Sequence, residues 1–353
     1  MKLSINLNTT SYDVIIEEFL SRNLSSCLKK FNKGQKFILC FSSSLSSHIP
    51  EIISELKKHN YNIKQLKIND GEQFKTLEYT QELVQSLMKL NCKRDTILLA
   101  LGGGTVGDII GFLSSIFMRG IRYINIPTTL LAMVDSSIGG KTGVNYNGIK
   151  NMLGTFHQPE LVCIDPSFLS SLNKEQIYSG VGEIVKYGLI SNKKILSTLI
   201  ENYNCIIQLK NIDLIADIIY QSCLVKKKFI EEDVLDKDYR NILNFGHTLG
   251  HIIESKYQFQ SITHGESIMN GMFLSLKLSM YKKMISNKNY NSILSIFNKL
   301  KIKNNYKLNK LDIEKINFDK KTNDHRIRFI LLESIGNPII CDDVSIEDVL
   351  KII

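Results

Sequence analysis

The sequence contains no tryptophan and only 5 prolines, and its 7 cysteines form no CxxC pair. Cys27, Cys40, Cys92, Cys163, Cys205, Cys223 and Cys341 are scattered and odd in number. That excludes a cysteine-rich zinc module and disfavours a disulfide framework. Reduced thiols in a cytoplasmic protein are expected. No run approaches the roughly 20 apolar residues that span a bilayer. The first residues, MKLSINLNTTSYDV, lack the continuous apolar segment of a secretory signal. No internal repeat or low-complexity linker is evident. There is no arginine-rich arm and no alternation of basic and aromatic residues; the longest basic run is Lys226-Lys227-Lys228. Neither nucleic acid nor a membrane is therefore expected as a partner.

What is present is an ordinary globular composition, 43% hydrophobic and 22% charged, in 353 residues. That length suits two domains. The net charge of +9 is dispersed. Part of it is bland composition, since Lys, Asn and Ile are used heavily throughout; the rest suits small anionic ligands. The first half alternates strand-like and helix-like segments. KFILCFS (36–42), YNIKQLKIND (61–70), DTILLALGGG (95–104), GIRYINIPTT (120–129) and LVCIDPSFL (161–169) read as strands. IPEIISELKKHN (49–60) and TLEYTQELVQSLMKLN (76–91) have helical spacing. This order predicts a mainly parallel, Rossmann-like α/β domain over residues 1–174. Beyond it the pattern turns helical, with RIRFILLES (326–334) the one clear strand, and an all-α domain over 175–353 is expected.

Gly102, Gly104 and Gly107 fit GxGxxG between a strand and a helix. Glycines there let the backbone approach a pyrophosphate, and a helix N-terminus offers N–H donors. Alone the match is weak, and a plain strand-to-helix turn explains it too. The acidic turn Asp70-Gly71-Glu72-Gln73-Phe74-Lys75 precedes the glycines, whereas a typical dinucleotide fold places its acidic residue about 20 positions after them. Pro127-Thr128-Thr129 ends the next strand at the same sheet edge. Gly139-Gly140-Lys141-Thr142 suggests a P-loop but lacks the GxxxxGK[ST] spacing with a strand leading in.

Three of the 7 histidines fall between positions 247 and 264. His247 and His251 share a helix face at i and i+4. Thr248 stands where a zinc protease needs Glu, which disfavours that chemistry. His264 follows in His264-Gly265-Glu266. A Zn²⁺ with three N/O ligands and one open position would suit oxidation of a hydroxyl, yet two histidines alone are insufficient. Glu183 and Lys186 lie in a small, apolar helix, where charges need partners. A mutual i, i+3 salt bridge satisfies them as simply as a ligand does.

The strings DGEQFKTLE, GGGTVGDIIGF, FMRG, PTTLLAMVDSSIGGKTGVN, KNMLGTFHQP, GVGEIVKYG, LNFGHTLGHIIE and HGESIMNGM run in order from residue 70 to 272. In them the chain resembles the 3-dehydroquinate synthase family. The resemblance implies Glu183, His247 and His264 as ligands of Zn²⁺ or Co²⁺. It implies NAD⁺ contacts at Asp70, Gly71, Glu72, Gln73, Phe74, Lys75, Gly104, Thr105, Val106, Gly107, Asp108, Thr128, Thr129, Lys141, Lys150, Phe168, Leu169, Ser170 and Ser171, with Asp135 near them. Arg119, Lys141, Asn151, Lys186, Lys226, Arg240 and Asn244 match groups that hold a small anionic sugar phosphate by its phosphate, carboxylate and hydroxyls. Lys320 or Lys321 matches a further basic contact. His251 would move a proton.

The implied reaction oxidises a ring hydroxyl with NAD⁺, eliminates phosphate, returns the hydride and closes 3-dehydroquinate by an internal aldol step. The substrate would be 3-deoxy-D-arabino-heptulosonate 7-phosphate and the assembly a homodimer. Another sugar-phosphate cyclase, or a metal-dependent alcohol or glycerol dehydrogenase, is the alternative. The chain departs from the family pattern in two places. Asp236 stands where the acid/base Glu is usual, with Asp238 in place of a glycine. Ser179 changes the residue preceding the metal-binding helix motif.

Overall fold

Every residue of Ile97–Gly102 is buried, the pattern of a strand covered on both faces. It lies inside a seven-stranded sheet of order β1-β2-β9-β6-β5-β3-β4. The strands are β1 (Lys2–Asn6), β2 (Ser11–Ile16), β3 (Lys36–Ser42), β4 (Asn62–Ile68), β5 (Ile97–Gly102), β6 (Arg122–Pro127) and β9 (Leu161–Ile164). Only β1 and β2 pair antiparallel; the other neighbours are parallel. A separate antiparallel hairpin is formed by β7 (Lys141–Tyr146) and β8 (Ile149–Phe156). The computed structural model describes residues 1–8, 10–257, 262–302, 305–314 and 326–353. Lys320 and Lys321 lie outside them.

Two compact units make up the chain, Met1–Leu172 with Ile212–Lys227, and Asn173–Asn211 with Lys228–Ile353. In the first, α1 (Leu24–Cys27) leads to α2 (Ile49–Lys58), which buries Ile49, Ile52, Ile53 and Leu56, one helical stripe. The helix α3 (Leu77–Lys89) starts where the Thr76 hydroxyl accepts the Tyr79 N–H. The helix α4 (Gly104–Ile116) packs Ile109, Ile110 and Leu113 with Ile38 and Leu98 in one buried cluster.

The second unit contains α5 (Lys174–Ile190), α6 (Lys193–Glu201), α7 (Tyr203–Ile207), α9 (His247–Lys256), α10 (His264–Tyr281) and α11 (Asn287–Lys299). The helix α8 (Ile212–Glu232) gives its residues up to Lys227 to the first unit. The second unit is not all-α. The strand expected at 326–334 forms as β10 (Arg326–Ser334) and pairs antiparallel with β11 (Asn337–Ser345) around Gly336, whose φ is 83°. A strand leaves a row of open N–H and C=O groups, so a lone β10 needed this partner. Phe329, Leu331 and Val344 of the hairpin join Leu249, Ile253, Leu274 and Leu278 in one core.

Candidate active site

In the first unit the carboxyl ends of β5, β6 and β9 gather the expected cofactor residues along one sheet edge, where parallel sheets bind ligands. The glycine loop joins β5 to α4, and a Cβ on Gly104 would come within 2.9 Å of Ser136 Oγ. Ser136 lies in a π-helical turn, Ala132–Ser136. Its hydroxyl and that of Ser137 are buried without a hydrogen-bond partner among the described residues. The sequence reading passed over both serines, because a Ser-Ser pair carries no spacing signal. Thr128 and Thr129 follow β6. Phe168 and Leu169 are core residues, whereas Ser170 and Ser171 are exposed and donate their hydroxyls to carbonyls of the same turn.

The acidic turn is tied to this edge by Lys75, which is buried. Lys75 Nζ donates to Asp108 Oδ2 at 2.6 Å and to Asn151 Oδ1 at 2.5 Å. Burial pushes the Asp108 carboxyl above its ordinary range, and Lys75 opposes the shift. Glu72 accepts Asn145 Nδ2 at 2.9 Å and Thr105 Oγ1 at 3.5 Å. The Asn145 N–H donates to Lys75 O at 2.7 Å. Turn 70–75, the first turn of α4 and the β7–β8 hairpin thus form one network. Asp70 faces the other way, accepting Ser43 Oγ and the Ser44 N–H at 3.0 Å each. Lys141 opens β7 rather than a helix, so the Gly-Gly-Lys-Thr string makes no P-loop. Lys150 and Asn151 sit on β8.

Two further residues expected to hold substrate lie in this unit, Lys226 and Arg119. Lys226 Nζ donates to Asp135 O at 2.6 Å and Asp135 Oδ1 at 2.8 Å, which seats it against the π-helical turn. Arg119 is exposed at the amino end of β6, the opposite end from Thr128. A strand of that length separates them by about 20 Å. The Met118 and Arg119 backbones have φ of 50° and 66°, a strained left-handed pair that turns the arginine outward.

The second unit holds the metal-ligand candidates. Glu183 on α5 is fully buried. His247 opens α9 and His264 opens α10, and the Nε2 of each imidazole lies 3.5 Å from Glu183 Oε1. All three donor atoms fall within 4.8 Å of one another. Donors around a tetrahedral Zn²⁺ at roughly 2.1 Å stand roughly 3.4 Å apart. One carboxylate and two imidazoles at this spacing fit such an ion. His247 Nδ1 lies 3.3 Å from Phe245 O, a contact that suits an N–H there and a bare Nε2. Glu183 is also ion-paired with Lys186, so the i, i+3 bridge foreseen from sequence exists alongside the donor cluster.

Close helix approach makes this convergence possible. A Cβ on Gly265 would lie 1.9 Å from Ser179 O, and one on Gly271 would lie 1.9 Å from Gly246 O. Bare glycines therefore let α10 touch α5 and the start of α9. Ser179 also accepts the Gly265 N–H at 3.1 Å, which gives that departure from the family pattern a structural role. Electrostatics then divide the two imidazoles. Burial, then Lys186, hold the His247 imidazolium well below its ordinary pKa. Burial alone would do the same to His264, but hydrogen bonds with Glu183 and Glu254 outweigh it and raise it to about 9.

His251 is exposed on α9, its ring 5.4 Å from that of His247 and 6.0 Å from that of His264. It stands beside the donor cluster. The loop 233–240 is organised by a residue the sequence reading missed. Asp233 accepts N–H groups of Lys237 at 3.0 Å, Asp238 at 2.8 Å and Arg240 at 3.1 Å. Asp236 takes φ 56°, whereas Asp238 does not, so the usual glycine position tolerates a side chain here. Arg240 is buried and donates Nη1 to Val234 O at 3.0 Å. Asn244 is partly buried and ends the 3₁₀ turn Tyr239–Asn244.

The family model described as 3-dehydroquinate synthase N-terminal matches residues 65–179, and the one described as 3-dehydroquinate synthase C-terminal matches residues 180–322. A 3-dehydroquinate synthase of Clostridium tetani (strain Massachusetts / E88) is 41% identical over 344 residues, 95% of this chain and 91% of that one. The chain belongs to the 3-dehydroquinate synthase family. A second member, from Thermoanaerobacter pseudethanolicus (strain ATCC 33223 / 39E), is 36% identical over 99% of both chains. Among solved structures, a 2-deoxy-scyllo-inosose synthase complexed with carbaglucose-6-phosphate, NAD⁺ and Co²⁺ is similar in fold. Its TM-score is 0.89 at 24% identity, covering 100% of both chains. The 3-dehydroquinate synthase motifs thus sit on the fold of that 2-deoxy-scyllo-inosose synthase.

Proposed function

We propose that the chain converts 3-deoxy-D-arabino-heptulosonate 7-phosphate to 3-dehydroquinate and phosphate, as a carbon–oxygen lyase. The observation that carries this is the convergence of Glu183, His247 and His264 donors at the spacing of a divalent ion. Near full-length similarity to curated 3-dehydroquinate synthases supports it.

Glu183, His247 and His264 would hold Zn²⁺ or Co²⁺, and the edge around Gly104–Asp108, Thr128–Thr129 and turn 70–75 would hold NAD⁺. When bound, the ion acidifies a substrate hydroxyl and NAD⁺ accepts and returns a hydride. The unpartnered Ser136 and Ser137 hydroxyls beside Gly104 suit hydrogen bonds to a pyrophosphate. Lys75 fixes Asp108 and Asn151, so the hairpin that carries Lys141, Lys150 and Asn151 is held in register with the glycine helix. Arg240, Asn244 and Lys186 supply donors for an anionic substrate in the second unit, and Lys141, Asn151 and Lys226 do so in the first. His251, exposed beside the donor cluster, would take up or give a proton during the reaction. Asp236 would serve as the shorter acid/base carboxylate.

A homodimer is supported by exposed apolar side chains in the first unit, Ile116 at the end of α4, Met118 just after it, and Met152 and Phe156 on β8. Arg119, placed away from the cofactor edge of its own chain, would then serve a second copy.

The test is metal-dependent phosphate release. Purified protein with NAD⁺ should release phosphate from the heptulosonate phosphate, lose this activity to a chelator and regain it with Zn²⁺ or Co²⁺. No release in any of these conditions would refute the assignment.

A further inference from the structure

The helix α9 presents three residues along one stripe, His247, His251 and Glu254, at i, i+4 and i+7. Two of these have a place in the reaction; Glu254 does not. Yet Glu254 is buried, and its Oε2 lies 3.5 Å from His264 Nδ1. The other ring nitrogen of His264, Nε2, lies 3.5 Å from Glu183 Oε1. One imidazole is therefore gripped at both nitrogens by two buried carboxylates from two different helices.

We infer that Glu254 is a positioning residue of the metal centre: it accepts the Nδ1–H of His264 and so aims Nε2 at the point shared with Glu183 and His247. This rests on the metal reading above. An imidazole that ligates through Nε2 must carry its remaining proton on Nδ1, and a carboxylate there fixes the tautomer, sets the ring plane and raises the basicity of Nε2. His247 has a weaker counterpart, the Phe245 carbonyl near its Nδ1. The two ligands thus differ in kind, one backed by a carbonyl dipole and one by a full charge. His264 is the first residue of α10, and Glu254 is the carboxylate on α9 that reaches its second ring nitrogen. A second geometry competes, because His251, Glu254 and His264 also bring donors within 4.8 Å of one another. There Glu254 would be a ligand of a second ion. Both roles need Nδ1 of His264, which must then lose its proton. A single-ion centre needs no such loss.

The experiment uses the full chain as wild type, Glu254→Leu, Glu254→Gln and His251→Ala, with zinc affinity read by competition against a chelating dye. Zinc stoichiometry and the visible spectrum of the Co²⁺ form are read alongside. Wild type should bind one zinc. Glu254→Leu should weaken binding by about 10–100-fold and change the Co²⁺ spectrum. Glu254→Gln keeps the shape and an acceptor oxygen, so its loss should be smaller; it also tests the proposal if the leucine variant does not fold. His251→Ala should bind zinc as wild type does. Wild-type affinity and an unchanged Co²⁺ spectrum in both Glu254 variants would overturn the positioning role. So would two zinc equivalents in wild type with one lost in Glu254→Leu. A wild type that binds no zinc would instead overturn the metal reading itself.

Discussion

His264 and His251 are close in sequence and in space, yet their surroundings give them different work. His264 has carboxylates at both ring nitrogens, while His251 is exposed on α9. His264→Ala should abolish zinc binding, and His251→Ala should leave zinc in place while turnover falls by about 10²-fold or more. Metal content and kcat of the two purified variants check this, and equal metal loss would contradict it. Asp233 offers a pH-dependent test. Burial would raise its carboxyl, but N–H donors from Asp238, Lys237 and Arg240 outweigh that and lower it below the ordinary 3.8. A depressed folded value contributes stability above the unfolded value, and the contribution is lost as pH falls through the folded one. Asp233→Asn should therefore destabilise the fold near neutrality, by less than about 1 kcal/mol because solvent screens the largely exposed carboxylate, with the gap to wild type closing below about pH 4. Thermal melts across that range measure it. Glu183, His247 and His264 were named together by resemblance, and the structure brings their donor atoms within 4.8 Å of one another. Spacing alone favoured the pair His247 and His251, because i, i+4 is visible in a string and a contact to Glu183 on another helix is not. Glu254 gave no signal because it acts through a contact to another helix, and Asp233 gave none because a carboxylate that gathers backbone N–H groups of its own loop has no spacing pattern.

At the scale of elements, the strands β3 to β6 and β9 were readable because buried parallel strands are continuous apolar runs bounded by turns. The β1–β2 pair alternates buried and exposed residues and was passed over. The β7–β8 hairpin has no counterpart among the strands expected from sequence, because its glycines and polar residues carry little strand propensity. Gly143 and Gly154 face each other across it, where a Cβ on Gly154 would lie 2.5 Å from Thr142 O. The same close-approach logic governs the metal centre. Gly265→Ala forces a methyl against Ser179 O and should push α10 from α5. A loss of about 1–3 kcal/mol or more and weakened zinc binding are expected. Calorimetry and dye competition test it. Unchanged zinc affinity would show that α10 is not seated by that contact.

For the whole molecule, the sequence turns mostly helical after about residue 174, and the first compact unit's opening segment ends at Leu172. The return of Ile212–Lys227 to the first unit was not visible in the sequence, because a helix does not announce its neighbours. Arg119 bears on assembly. If a second copy uses it, an Arg119→Ala chain and an inactive His251→Ala chain should regain activity when mixed and allowed to exchange subunits. The absence of any recovery in mixed dimers would assign Arg119 to its own chain. Among the described residues no helix is long and apolar enough to cross a membrane. The most direct test of the proposed chemistry is the hydride balance. Phosphate release and NADH are followed together while the protein turns over the heptulosonate phosphate with NAD⁺. Many phosphates per enzyme with no net NADH is the expected result, since the cofactor regains its oxidised form in each cycle. NADH that accumulates without phosphate would contradict it and mark the protein as a dehydrogenase.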